Sequence, residues 1–253
     1  MNNILLKAEN VCKDFERSGK KIRILDNISV ELFEGDFTVI MGASGAGKST
    51  LLYALSGMDK ITSGSVKYKN KEISGLTDKE MSRIRTNNFG FVFQQTHLVS
   101  SLTLYENVAA AGYLNKSRTP EQTAETADKL LKQMNVGNAQ NRLPAQVSGG
   151  EAQRAAIARA IINDPDLVFA DEPTGALNKS NTDEVLNLLT EINAAGQSIL
   201  MVTHDVRAAI RGSRIIYIED GKITGEFLFP AYTEKTARDR ETELNEWLSA
   251  LRW

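Results

Sequence analysis

The chain has 253 residues, 42% apolar and 25% charged, with a formal charge of −2 at neutral pH. That is enough for one large domain, alone or with a small appendage, around a sizeable core, and too little for a multi-cassette machine. The balance excludes a disordered chain and leaves no basic footprint for DNA or RNA.

In chain order, residues 4–41 read mostly as strand. Leu25, Ile28, Val30 and Leu32 form an interrupted alternation, and Phe37-Thr38-Val39-Ile40-Met41 is an apolar run of the buried-strand kind. A glycine-rich turn then opens a helix over about 48–55. Beyond Gly64, Val66 and Tyr68 alternate with polar neighbours as in a strand, and 78–85 reads as a short charged helix. Between about 95 and 162 strand signals fade and helix formers take over, with Pro120 starting a helix over 121–133, so this stretch is expected to be a helical insert. Strands return at 166–170 and 198–202 around a helix over about 181–192, the pattern of a βαβ unit. Residues 214–217 and 223–224 flank an Asp220-Gly221 turn and predict a hairpin. After Pro230 the composition becomes charged, and Leu244, Trp247, Leu248 and Leu251 form one helical stripe. It reads as a docking helix, with packing on its own domain as the alternative. The expected layout is one domain over 1–229, carrying the helical insert, and an amphipathic extension over 230–253.

One cysteine, Cys12, cannot form an internal disulfide, which fits a reducing compartment and a small strand side chain. Residues 1–7 lack a signal-peptide core, and no window approaches the roughly 18 apolar residues of a membrane span. Membrane contact is therefore expected only through a partner.

Gly42-Ala43-Ser44-Gly45-Ala46-Gly47-Lys48-Ser49 matches the phosphate-loop pattern G-x-x-x-x-G-K-[ST], between an apolar strand and a helix. Glycines let backbone N–H groups curl around phosphate oxygens and the helix start adds its dipole. Lys48 brings a positive charge to the β- and γ-phosphates, Ser49 can ligate Mg²⁺, and Thr50 adds a second hydroxyl. A second apolar strand, Leu167-Val168-Phe169-Ala170, ends in Asp171-Glu172. Asp171 is placed to hold Mg²⁺ and Glu172 to polarise the attacking water.

Those two elements leave kinases, GTPases and recombinase-like ATPases open. Val147-Ser148-Gly149-Gly150-Glu151-Ala152-Gln153-Arg154 resembles the ABC signature L-S-G-G-Q-x-Q-R, and over roughly 4–228 the chain resembles the ATP-binding subunit of an ABC transporter. The resemblance implies an α/β P-loop NTPase fold: a RecA-like core, an N-terminal antiparallel β subdomain and a helical ABC subdomain. It also implies that Ser148, Gly149 and Gly150 face the γ-phosphate held by a second copy, so that ATP makes the homodimer. On the same footing Phe15 would stack on adenine. Gln94 would reach Mg²⁺ and water beside the surface that couples to the membrane partner. His204 would contact the γ-phosphate, whereas His97 has no such context and is expected at the surface. Pro173-Thr174-Gly175-Ala176-Leu177-Asn178 resembles the D-loop but ends in an amide where aspartate is usual, which leaves cross-subunit signalling open. Val147 and Glu151 are milder departures.

The resemblance is greatest to the branch of macrolide exporters, lipoprotein-release ATPases, a cell-division ATPase and antimicrobial-peptide resistance systems. It implies a Mg-dependent ATPase at the cytoplasmic face of the membrane, driving a separate integral permease in export or removal of peptide, lipid-linked or antibiotic cargo. An ATPase that signals through a membrane complex without moving cargo is the alternative. A ribosomal or DNA-repair ATPase of the same type would carry two cassettes or long coiled coils, and neither is present.

Overall fold

Two long antiparallel strands, β1 (Ile4–Arg17) and β2 (Lys20–Phe33), open the computed structural model, which describes residues 3–17, 19–251 and 253. Their pairing shifts register between Ala8 and Val11 and again between Val11 and Lys13, and Asn10 and Asn27 adopt φ of 51° and 52°. These irregularities are bulges, and they explain the interrupted alternation: each extra residue resets the pleat, so Leu25, Ile28, Val30 and Leu32 are all buried despite uneven spacing. Cys12 is buried in β1 beside Asn27, whose backbone N–H points to its Sγ at 3.3 Å.

β3 (Phe37–Met41) is buried throughout and leads through a glycine turn into α1 (Lys48–Leu55). β4 (Ser63–Tyr68) and the short β5 (Lys71–Glu72) follow. Next come α2 (Asp78–Asn88), three residues longer than expected, and β6 (Phe89–Phe93), which the sequence reading did not single out. α3 (Leu104–Gly112) was also missed, although Thr103 and Glu106 form a capping box at its start, a pattern visible in the sequence. α4 (Pro120–Gln133), α5 (Gly149–Ile161), β7 (Leu167–Asp171) and α6 (Lys179–Ala194) follow. The chain ends with β8 (Ser198–Val202), α7 (Val206–Ala209), β9 (Arg214–Glu219), β10 (Lys222–Leu228) and α8 (Ala237–Ala250).

These elements form two units, one of Met1–Met81 with Gly196–Trp253, the other of Ser82–Ala195. In the first, β2, β1, β4 and β5 make an antiparallel sheet in that order. β3 lies between β8 and β9 in parallel pairing, and β10 returns antiparallel along β9. In the second, β6 and β7 pair in parallel, α5 packs on β6, and α3, α4 and α6 pack on α5.

α8 spends its apolar stripe within the first unit. Leu244 and Leu248 are 0% exposed, and the Trp247 indole lies 6.3 Å from the Tyr217 ring and 5.4 Å from the Phe227 ring. Gly225 permits this approach, because a Cβ there would come within 2.8 Å of the indole. Arg240, 3% exposed, donates to the carbonyls of Pro230 and Gly212 and stacks over Phe229 at 4.1 Å, and burial pushes its pKa down to about 10. Of the two readings the sequence left open for this stripe, docking or packing on its own domain, these contacts are of the second kind.

Candidate functional site

The glycine-rich turn of the first unit is shaped by what crowds it. At Gly42, with φ of 154°, a Cβ would stand 2.2 Å from the Ile218 carbonyl oxygen of β9. At Gly47, with φ of 102°, it would meet the Ile24 carbonyl at 3.0 Å and Leu25 at 3.1 Å. Only glycine fits both the left-handed backbone and the space. Lys48, 7% exposed, donates from Nζ to the carbonyls of Gly42 and Ala43, both at 2.9 Å. Its charge is thereby held across the loop that precedes it. Gly47 caps α1 without any side-chain cap hydrogen bond, having no side chain to offer one. That donor set fits a phosphate: the N–H groups of a helix start, a fixed ammonium and the hydroxyls of Ser49 and Thr50 on the first turn. Ala43, Ser44 and Gly45 are exposed at the tip, and Ala46 is buried.

The Asp220-Gly221 turn between β9 and β10, with φ of 46° and 75°, has the two left-handed residues of a tight hairpin. Gly221 donates to the Ala46 carbonyl at 3.1 Å and accepts from the Asp26 N–H at 2.9 Å, so the hairpin braces the loop. β8 supplies His204. Ile40 of β3 pairs with Val202 of β8, and the Thr203 N–H donates to Ile40 O at 3.2 Å. Gly42 and His204 each lie two residues beyond that pair, at the carboxyl ends of adjacent strands, where α/β sheets bind ligands. His204 is exposed there.

Phe15 reaches the same region through the antiparallel sheet. It pairs with Ile22 in β2, two residues from Ile24, whose carbonyl faces Gly47. Two strand steps are about 7 Å. Phe15 is 44% exposed, unusual for a strand phenylalanine.

In the second unit, Phe93 pairs with Asp171, so Gln94 and Glu172 follow side by side at the ends of β6 and β7. Asp171 and Glu172 are half-buried. Glu172 holds φ of 45°, a conformation uncommon for a non-glycine residue and frequent where side chains are aimed for function. The turn closes with the Gly175 N–H on Glu172 O at 3.0 Å, and Gly175 has no Cβ because one would come within 2.8 Å of the Gln94 amide. Gln94 therefore lies against the turn that follows the acids. Asn178 caps α6, its Oδ1 accepting from the Asn181 N–H at 3.0 Å, so the amide keeps the hydrogen bond an aspartate would make and loses only its charge.

Ser148 is exposed at the start of α5 and forms a capping box with Glu151. The Glu151 carboxylate accepts from the Ser148 N–H and hydroxyl, both at 2.8 Å, and these bonds hold its pKa below the ordinary value. The departure at Glu151 thus has a structural use. Gly149 is exposed, whereas Gly150 is buried, and a Cβ on it would overlap the Asn181 side chain at 2.3 Å. Gln153 donates to Phe93 O at 2.9 Å, and Arg159 donates to the carbonyls of Thr96 and His97 at 2.6 and 2.7 Å. α5 therefore grips the segment around Gln94 twice. Gln153 stands within the signature run but carried no role of its own in the sequence reading, and Arg159 belongs to no recognisable pattern. His97 is exposed, edge-on to Phe93. Among the described residues no three His, Cys, Asp or Glu side chains cluster as a metal site, and no helix is long and apolar enough to cross a membrane.

Residues 25–175 match the family model described as ABC transporter. The chain is 41% identical over 225 residues to the lipoprotein-releasing system ATP-binding protein LolD of Wigglesworthia glossinidia brevipalpis, covering 88% of this chain and 98% of that one. It is 38% identical over 236 residues to the macrolide export ATP-binding/permease protein MacB of Acinetobacter baylyi, covering 93% of this chain and 35% of that one, so it spans about a third of that relative's length. Among solved structures, the dimeric post-hydrolysis state of the ATP-binding cassette MJ0796 bound to ADP and Pi superposes with a TM-score of 0.83 at 37% identity, over 90% of this chain and 100% of that one.

Proposed function

The chain belongs to the ABC transporter family, as an ATP-binding subunit with a P-loop NTPase fold, and from that premise we propose that it hydrolyses Mg·ATP as a homodimer to drive a separate integral membrane permease. The observation that carries the reading is Lys48, held across its own loop at the start of α1, with His204 two residues past the Val202 that pairs with Ile40. Lys48 and the first-turn N–H groups bind the β- and γ-phosphates, and Phe15 takes the adenine. Ser49, Asp171 through water and Gln94 would hold Mg²⁺, which when bound neutralises phosphate charge in the transition state. Glu172 accepts the proton of the attacking water while Lys48 and His204 hold the oxygens on which charge develops. Ser148 and the glycines after it bind the γ-phosphate of the second copy, so ATP joins the dimer and hydrolysis releases it.

The likeness to a lipoprotein-releasing ATPase and to the cassette of a macrolide exporter supports export or removal of lipid-linked, peptide or antibiotic cargo, with the chain at the cytoplasmic face through its permease. Glu172→Gln should retain nucleotide and stall hydrolysis. Light scattering should then show Mg·ATP converting this variant from monomer to dimer, and a further Ser148→Arg change should abolish the dimer. A variant that stays monomeric at saturating Mg·ATP would overturn the composite site.

A further inference from the structure

We propose that Lys13 is a positioning residue for the nucleotide base, holding and polarising the Phe15 ring from beneath. This rests on Phe15 being the adenine platform. Lysine normally keeps its ammonium in water, letting only its stem lie on apolar surface. Lys13 is 8% exposed, and its Nζ donates to Asp59 Oδ1 and to Lys60 O, both at 2.6 Å. The same Nζ stands 4.7 Å from the centroid of the Phe15 ring. Two of its three protons are thus committed to oxygen, and the ring receives the remaining face of the cation.

Phe15 is nevertheless 44% exposed, so the ring that the ammonium covers on one face still offers open surface to a ligand. A desolvated cation draws π density toward itself and leaves the open face less electron-rich. Such a face stacks better on an electron-rich purine, because the two quadrupoles repel less. The ammonium also fixes the ring, so less freedom is lost when the base arrives.

The anchoring ties base recognition to the phosphate loop. Asp59 follows α1, with its N–H on Tyr53 O at 3.1 Å. Thr62 donates from its N–H to Cys12 O and accepts from the Asp14 N–H on its hydroxyl, both at 2.8 Å. The strand that carries Phe15 is therefore pinned to the segment leaving the helix whose first turn carries Lys48 and Ser49. One eight-residue helix sets both ends of the binding site.

ADP and inorganic pyrophosphate separate the base from the phosphates and avoid turnover. In the full chain, Lys13→Met should raise the calorimetric Kd for ADP about 3- to 10-fold and leave that for pyrophosphate unchanged. Lys13→Arg should restore most of the loss. In a Phe15→Ala background Lys13→Met should have no further effect on ADP. Should Lys13→Met fail to fold, Asp59→Asn keeps the ammonium, loosens its hold and should weaken ADP selectively. An unchanged Kd for ADP in Lys13→Met or Asp59→Asn, or an equal weakening of ADP and pyrophosphate, overturns the role of Lys13. An unchanged Kd for ADP in Phe15→Ala overturns the adenine platform itself, a separate failure.

Discussion

Glycine carries much of the chemistry of the phosphate loop, and its positions are not equivalent. Gly42 has both a strained φ and a carbonyl 2.2 Å from any added Cβ, whereas Gly45, at φ of 82°, has nothing within 4 Å. Gly45→Ala should therefore cost only the left-handed backbone penalty, about 1 kcal/mol. Gly42→Ala must also displace β9, and should cost about 2–3 kcal/mol in urea unfolding together with phosphate binding. Equal losses would mean that the close approach to Ile218 is relieved cheaply. At the signature, Glu151 titrates below its ordinary value because the Ser148 N–H and hydroxyl bind the ionised form. A carboxylate depressed in the fold stabilises it above the unfolded pKa and ceases to do so as pH falls through the folded pKa. Glu151→Gln should thus be less stable than the parent by about 0.5 kcal/mol at pH 7, and the two should converge as acid protonates the folded carboxyl. A gap that persists in acid would assign the effect to packing.

At the scale of elements, the terminal hairpin and α8 make one structure. The hairpin turn touches the phosphate loop through Gly221 and Ala46, and the hairpin's strands present Tyr217 and Phe227 to Trp247. Support for the loop therefore extends to the last helix. Leu248→Ala, at a side chain 0% exposed, should lower the unfolding free energy by about 2–4 kcal/mol. Trp247→Ala, at a partly exposed ring, should cost about 2 kcal/mol. Wild-type urea midpoints for both would mean that the stripe is free to dock elsewhere. The elements that escaped the sequence reading did so for physical reasons. β6 is only five residues, between a polar helix and a loop, and its Phe91 and Phe93 stack mutually at 6.0 Å instead of alternating with polar neighbours. α3 is nine residues with three consecutive alanines, so its periodicity is weak, and Asn107 supports its start by bonding Val99, Leu102 and Thr103.

For the whole molecule, a ligand that binds only the folded chain must raise its stability by mass action. Mg·ATP at about 100 times its Kd should add about 2.7 kcal/mol and raise the melting temperature of Glu172→Gln, and ADP should do so for the parent chain. Chelating Mg²⁺ should abolish hydrolysis, while Lys48→Ala should abolish both hydrolysis and the thermal shift; ATPase activity that survives EDTA would remove the metal from the mechanism. What the sequence determined by itself was everything that depends on near neighbours along the chain. The phosphate loop, the acids ending a strand and the Asp220-Gly221 turn are written in residues a few positions apart, whose backbone preferences act before the fold exists. Only the tertiary structure decided that Lys13 lies beneath Phe15 on an aspartate 46 positions away, that Gly42 faces Ile218, and that the stripe of α8 is consumed by its own unit. The reason is physical: burial and close packing are properties of surfaces brought together, and a linear pattern records that a residue is apolar, small or charged without recording what it will meet.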